Sequence, residues 1–177
     1  MTWTLDTTHA EVGFSAKHMM VSTVRGRFED VDADIHLDEA NPAQSHVVAR
    51  IKAASINTGT PDRDAHLRSA DFLDVENHPE ILFRSTRIEQ SGDALTLHGD
   101  LTIREITKSV ILKGELSGPV AGPWGGRHIG FDLSGEIERE DWGLGWNMAL
   151  EAGGFLVSKK IKLHTAVEVM EAAAVAA

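Results

Sequence analysis

The 177-residue chain has no cysteine and no tyrosine. Without thiols there is no disulfide, no thiolate metal site and no cysteine nucleophile. Without tyrosine the aromatics are four Trp and six Phe. The core must then be mainly aliphatic, with few polar-tipped rings to line a sugar or base site. Basic residues are the minority charge, 17 Lys+Arg against 27 Asp+Glu, for a net charge of −10. That balance argues against a nucleic-acid partner, which needs a basic stripe. No window approaches the roughly 20 apolar residues of a membrane span. No charged-then-apolar leader is visible at the start, so the expectation is a cytoplasmic protein, or a periplasmic or secreted one if the chain is a processed form.

What the chain does have is alternation with period two. Val12, Phe14, Ala16 and His18 share one face, and so do Val31, Ala33, Ile35 and Leu37. The pattern returns in Leu95, Leu97, Gly99, Leu101 and Ile103, in Ile129, Phe131, Leu133, Gly135 and Ile137, and in Ile161 to Val169. Such runs are half-buried antiparallel strands, and residues 2 to 8, 46 to 54, 80 to 89 and 108 to 116 are shorter candidates. Asn41-Pro42, Ser91-Gly92-Asp93 and the Gly/Pro-rich stretch 117–127 supply turns and a longer loop. One segment breaks the pattern. From Thr60 as N-cap, Pro61, Asp62 and Asp64 suit the start of a helix over 61–70, with Asp64 and Arg68 as an i,i+4 pair and Leu67 inward.

About eight to ten strands with one helix must close or fold over, because open edges invite aggregation. The fold class is therefore all-β, an antiparallel sheet that closes into a barrel or folds over on itself. Residues 1–170 form one domain, and the Ala-rich stretch 171–177 reads as a frayed tail. A closed sheet of eight strands has room for one small ligand.

Other chemistries lack their signatures. There is no Gly-x-Ser-x-Gly elbow. The nine histidines include no i,i+2 or i,i+4 pair, and Asp62 with His66 on the helix reads as helix chemistry before it reads as a metal site. His36, His98 and His164 fall on wet faces, whereas the inward His18 reads first as a hydrogen-bonded core residue. Gly143-Leu144-Gly145 has Met148 where a dinucleotide fingerprint needs glycine. Trp142 and Trp146 beside it either stack on a ligand or pack. The small inward residues Ala16, Ala33, Gly99 and Gly135 leave room in the interior, or the glycines mark bends.

Several motifs together resemble the YceI-like family. They are Trp3-x-Leu5-Asp6-x-x-His9, Phe14-x-x-Lys17-His18-Met19, Val24-x-Gly26-x-Phe28 and Thr58-Gly59, followed by Arg63-Asp64-x-His66-Leu67-x-Ser69-x-Asp71-Phe72. His78-Pro79-x-Ile81-x-Phe83, Gly99-Asp100-Leu101-Thr102-Ile103 with Thr107-Lys108, and Arg139-x-Asp141-Trp142-Gly143-Leu144 complete the set, from Trp3 to about Val169. Glu105 stands where glycine is frequent, Trp142 replaces the usual Phe, and the family's tyrosines are missing. The resemblance implies an extended antiparallel β-barrel similar to lipocalins, usually dimeric, that holds a polyisoprenoid, an isoprenoid quinone or a fatty amide. The Arg63 to Leu67 motif reads as a charge network tying the helix to the barrel.

The expected function is thus non-enzymatic binding, transport or storage of a long-chain isoprenoid or acyl lipid by a homodimer, with no cofactor and no metal. The lining expected from alternation is Phe14, Ala16, His18, Ala33, Ile35, Phe83, Leu97, Leu101, Phe131 and Leu133, joined by Trp142 and Trp146. Two alternatives stand beside it. One is acid–base chemistry by His18 with Asp64 or Asp100, and the other is a stress-related partner-binding module with a filled core.

Overall fold

The computed structural model describes residues 2–148, 150 and 156–171. Ten strands follow one another as β1 (Trp3–His18), β2 (Ser22–Phe28), β3 (Val31–His36), β4 (His46–Lys52), β5 (Ile56–Asn57), β6 (Glu80–Ser91), β7 (Ala94–Ile103), β8 (Ile106–Ala121), β9 (Arg127–Glu138) and β10 (Lys160–Glu171). A single helix α1, Pro61–Arg68, lies between β5 and β6. The sheet runs β10-β9-β8-β7-β6-β4-β3-β1, and the β1–β10 ladder closes it. Eight strands therefore form the ring. β2 and β5 extend it as a flap, because β1 leaves β3 after Trp3↔Ile35 and pairs β2 from Val12 to His18. Closure removes the exposed edges that an open sheet of this size would present.

Alternation puts the expected residues inside. Along β7 the burial switches at every step, with Leu95, Leu97, Gly99, Leu101 and Ile103 buried and the residues between them more open. The main core joins these to Ile51, Ile81, Phe83, Val110, Leu112 and Leu133. A second, smaller cluster of Trp3, Ile129 and Val169 closes the far end. There the Arg127 guanidinium lies over the Trp3 ring and pairs with Glu171 and Glu39.

Several expectations need correction. The 117–127 stretch is mostly strand: β8 continues to Ala121, with a register shift between Ser117 and Val120, and only residues 122–126 turn. Glu171, expected at the start of the tail, ends β10 and is buried, while residues 172–177 lie outside the described residues. Thr60 occupies the N-cap position but its side chain makes no capping bond. Asp64 does not pair with Arg68 either. It accepts from the Thr58 amide and hydroxyl, and Arg68 donates to the carbonyls of Ala54 and Ile56. The inward glycines 99 and 135 make no room for a guest. A Cβ on Gly99 would lie 2.3 Å from the Phe83 ring, and one on Gly135 would lie 2.6 Å from the Ile111 carbonyl oxygen. The β7–β8 turn places Arg104 and Glu105 at φ +50° and +68°, the left-handed region of a type I′ turn. That conformation is the physical reason glycine would suit position 105.

Candidate ligand cavity

The barrel interior holds a cavity of about 640 Å³. It spans the interior from Leu5, Leu37 and His46 at one end to His18, His66, Trp146 and Leu156 at the other. Its wall is almost wholly aliphatic and phenyl carbon. Eleven of the twelve expected lining residues are on it: Phe14, Ala16, His18, Ala33, Ile35, Phe83, Leu97, Leu101, Phe131, Leu133 and Trp146. Trp142 is the exception. It is buried outside the lining, with its indole N–H donating to the Leu101 carbonyl at 2.9 Å. Residues 139–142 form a 3₁₀ turn, so strand alternation stops short of Trp142.

Polar groups gather at the α1 end. Arg63 donates to the Thr58 hydroxyl at 2.7 Å and to its carbonyl at 2.8 Å. His66 Nε2 pairs with Asp71 at 2.8 Å instead of meeting Asp62, and its ring stands edge-on to Trp146 and to Phe72. The Arg63–Leu67 motif thus ties α1 to Thr58 and to Asp71 through hydrogen bonds, Arg68 adds the carbonyls of Ala54 and Ile56, and His66–Asp71 is the motif's contact with a charged partner. His18 is half-buried on the cavity wall, and among the described residues its ring makes no hydrogen bond or ion pair. It belongs to the rim and not to a hydrogen-bonded core. Of its suggested carboxylate partners, Asp64 is held by Thr58 and Asp100 by Ser109. Neither is bonded to His18.

Arg139 was not foreseen as a site residue. It is buried, lines the cavity, and donates to the carbonyls of Leu144, Trp146, Val157 and Ser158. Burial pushes its pKa down from the ordinary arginine value. Its role is positional: it fixes the strap 144–146 and the 157–158 segment over the end of the barrel. A sequence signal for it exists. Arg139 continues the inward parity of Phe131, Leu133, Gly135 and Ile137, where a charge demands buried partners.

Outside the cavity, Asp6, His9 and Glu168 bring one ligand atom each within 4.8 Å of one another. They sit where the β1–β10 register shifts between Leu5 and Ala10. Hydrogen bonds from Thr8 and His9 hold the Asp6 carboxyl down at about 2. His36 stacks on His46, while His98 and His164 pair with Glu89 and Asp132 on the outer face. Among the described residues, no helix is long and apolar enough to cross a membrane.

Residues 3–169 match the model of the YceI-like domain. A curated relative, the UPF0312 protein plu2095 of Photorhabdus laumondii, is 42% identical over 134 residues, 76% of this chain and 70% of its own. Among solved structures, the Campylobacter jejuni YCEI protein superposes with a TM-score of 0.76 at 32% identity, covering 88% of this chain and 90% of that one. A polyisoprenoid binding domain from Saccharophagus degradans shares the fold at a TM-score of 0.70 and 11% identity, over 97% of this chain and 99% of that one.

Proposed function

The chain belongs to the YceI-like family, and from that premise we propose that its barrel binds a long apolar lipid of the polyisoprenoid class. The observation that carries this reading is the cavity itself, about 640 Å³ bounded by hydrocarbon. That volume lies within the roughly 300–1,000 Å³ common for small-molecule sites. An empty apolar space of this size forfeits dispersion contacts that an aliphatic guest restores. The described fold-mate from Saccharophagus degradans, a polyisoprenoid binding domain, supports the same class of guest.

The mechanism is burial, with no bond made or broken. Each methylene moved from water into the barrel contributes about 0.8 kcal/mol. Ordering of the flexible tail offsets part of that gain. The tail would run along Ala16, Ala33, Leu97 and Leu101, and the head group would rest among Arg63, His66 and Trp146, where the polar groups are. A guest that leaves the barrel unchanged can be stored or handed on, so carriage between sites is part of the reading.

The test is denaturing extraction of freshly purified protein with mass spectrometry of the organic phase. A near-stoichiometric isoprenoid or acyl chain is expected. Protein that returns no lipid and also fails to take up an added isoprenoid quinone would overturn the reading.

A further inference from the structure

The tip of the β1–β2 hairpin is oddly built. Met19, Met20 and Val21 are 46%, 67% and 81% exposed, the largest run of exposed apolar side chains among the described residues. Met19 and Met20 are both left-handed, at φ +52° and +63°, in a turn closed by the Val21 amide on the His18 carbonyl. Asn-Gly is the pair that such a turn favours, and unbranched apolar side chains have no conformational reason to be there. The tip is also braced. The Met19 amide donates to Leu156, whose own amide donates to Met148, itself 55% exposed. Four exposed apolar side chains therefore share one rim of the barrel, next to the cavity residues His18, Leu156 and Val157.

The two strand stretches that carry this tip have a charge opposite to that of the whole protein, while the α1 side of the same end holds Asp62 and Asp71. Residues 12–28 and 156–167 hold Lys17, Arg25, Arg27, Lys159, Lys160 and Lys162 and not one Asp or Glu, in a chain of net charge −10. The β1–β2 and β1–β10 ladders bring these two stretches together. Nearby acids temper three of the six: Glu29 on Arg27, Glu140 on Lys159 and Glu136 on Lys160. Apolar side chains at a tip, backed by cations, are the composition of a segment that enters an anionic lipid interface.

We propose that the Met19–Val21 tip docks this rim of the barrel on an anionic bilayer, with the cavity mouth facing the lipid. The inference rests on the lipid-binding reading and deepens it, since it states where the guest would enter and leave. The apolar tip sinks among the acyl chains, Lys17 and Arg25 meet the head groups, and the guest slides past His18 without crossing water. A second copy of this chain would also cover methionines, but it would bring the same positive face against itself.

The experiment is co-sedimentation of the full chain with vesicles of phosphatidylglycerol and phosphatidylcholine, against vesicles of phosphatidylcholine alone. The double variant Met19→Asn with Met20→Gly keeps the turn, and suits it better, while deleting the apolar tip. Wild type should bind the anionic vesicles and release them at high salt. The double variant should bind at least about tenfold more weakly with an undiminished melting temperature. Lys17→Glu with Arg25→Glu should also weaken binding by about tenfold or more. Wild type that ignores anionic vesicles overturns the inference, and so does a double variant that binds them as wild type does. If the double variant turns a dimer into a monomer with vesicle binding unchanged, the tip belongs to a second copy and the inference fails. Lipid extraction of the same samples keeps the two readings apart. Protein that carries lipid but ignores vesicles sinks docking alone, and protein that binds vesicles but carries no lipid sinks the carrier reading alone.

Discussion

Along β7, Leu95, Leu97, Leu101 and Ile103 are buried against Ile81 and Phe83 of β6 and Val110 and Leu112 of β8. Along β1 and β3, Val12, Phe14, Ala16, Val31, Ala33 and Ile35 point into the same barrel yet stay half-exposed, and Leu163 and Val167 of β10 do the same. Both halves follow the same alternation, and all these residues border the cavity. One half has filled its share of the interior with its own side chains, down to the Phe83 ring laid over Gly99. The other half mixes the small Ala16 and Ala33 with the larger Phe14, Ile35 and Leu163, and its inward side chains stay partly exposed beside the cavity. The difference marks the less tightly packed side of the cavity, which runs along β1, β3 and β10 and faces the filled half.

The two halves should answer mutation differently, and the largest effect belongs to the filled one. Leu101→Ala there should cost about 2–5 kcal/mol of stability in urea unfolding, because a cavity opens in a region that cannot collapse. A loss as small as that for a truncation of Val31 would erase the distinction. Next in size, Gly99→Ala puts a Cβ 2.3 Å from the Phe83 ring and 2.9 Å from the Arg84 carbonyl oxygen, and should cost about 1–3 kcal/mol. The expected relief is a second change, Phe83→Leu, which should recover part of that loss in the same measurement.

Much of this architecture was legible in the chain, and the part that was not has a physical reason. Alternation is local, so it marks β1, β3, β4 and β6 to β10 and the side of each that faces inward, while β2 and β5 carry no such reading, and eleven of the twelve expected lining residues reach the cavity. Trp142, expected on the lining, lies outside it because it sits on a 3₁₀ turn, beyond the period-two pattern. Residues 117–121 were read as loop because Gly118 and Pro119 break β propensity, yet β9 holds β8 straight through the register shift. Alternation also says nothing about whether an inward residue meets another side chain or empty space. That depends on which strands face one another across the barrel, a long-range property. The role of Arg139 was hidden for a related reason, since its partners are carbonyls of the later residues Leu144 to Ser158.

Filling the open half is the sharper test of what it is for. Ala33→Leu adds carbon to a side chain that borders the cavity. Because the space is already there, the stability change should be about 1 kcal/mol or less in either direction. Lipid recovered by extraction, by contrast, should fall steeply. A variant that is stable and still fully loaded would place the guest elsewhere in the barrel.

The smallest effect concerns acid. The β1–β10 seam closes the open half, and it carries Asp6, held at about 2 by Thr8 and His9, and Glu171, held below the usual carboxylate range by Arg127. A carboxyl whose folded pKa is depressed stabilises the fold above its unfolded pKa, near 3.8 for Asp6 and 4.5 for Glu171. That contribution is lost as pH falls through the folded values. Acidification from about pH 4.5 toward 2 should therefore loosen the seam before the β6–β8 half, where Glu89, on the exposed face of β6 and bonded by Arg87 and His98, is also held below its ordinary range. Amide hydrogen exchange along β1, β10 and β7 across this range reads the order of opening. Asp6→Asn should flatten the response of the seam alone, because it removes the carboxyl that Thr8 and His9 hold down and touches nothing in the filled half. Exchange that rises first in β7 would show that the seam is not the weak line, and that the open half owes its empty space to a wall as firm as its counterpart.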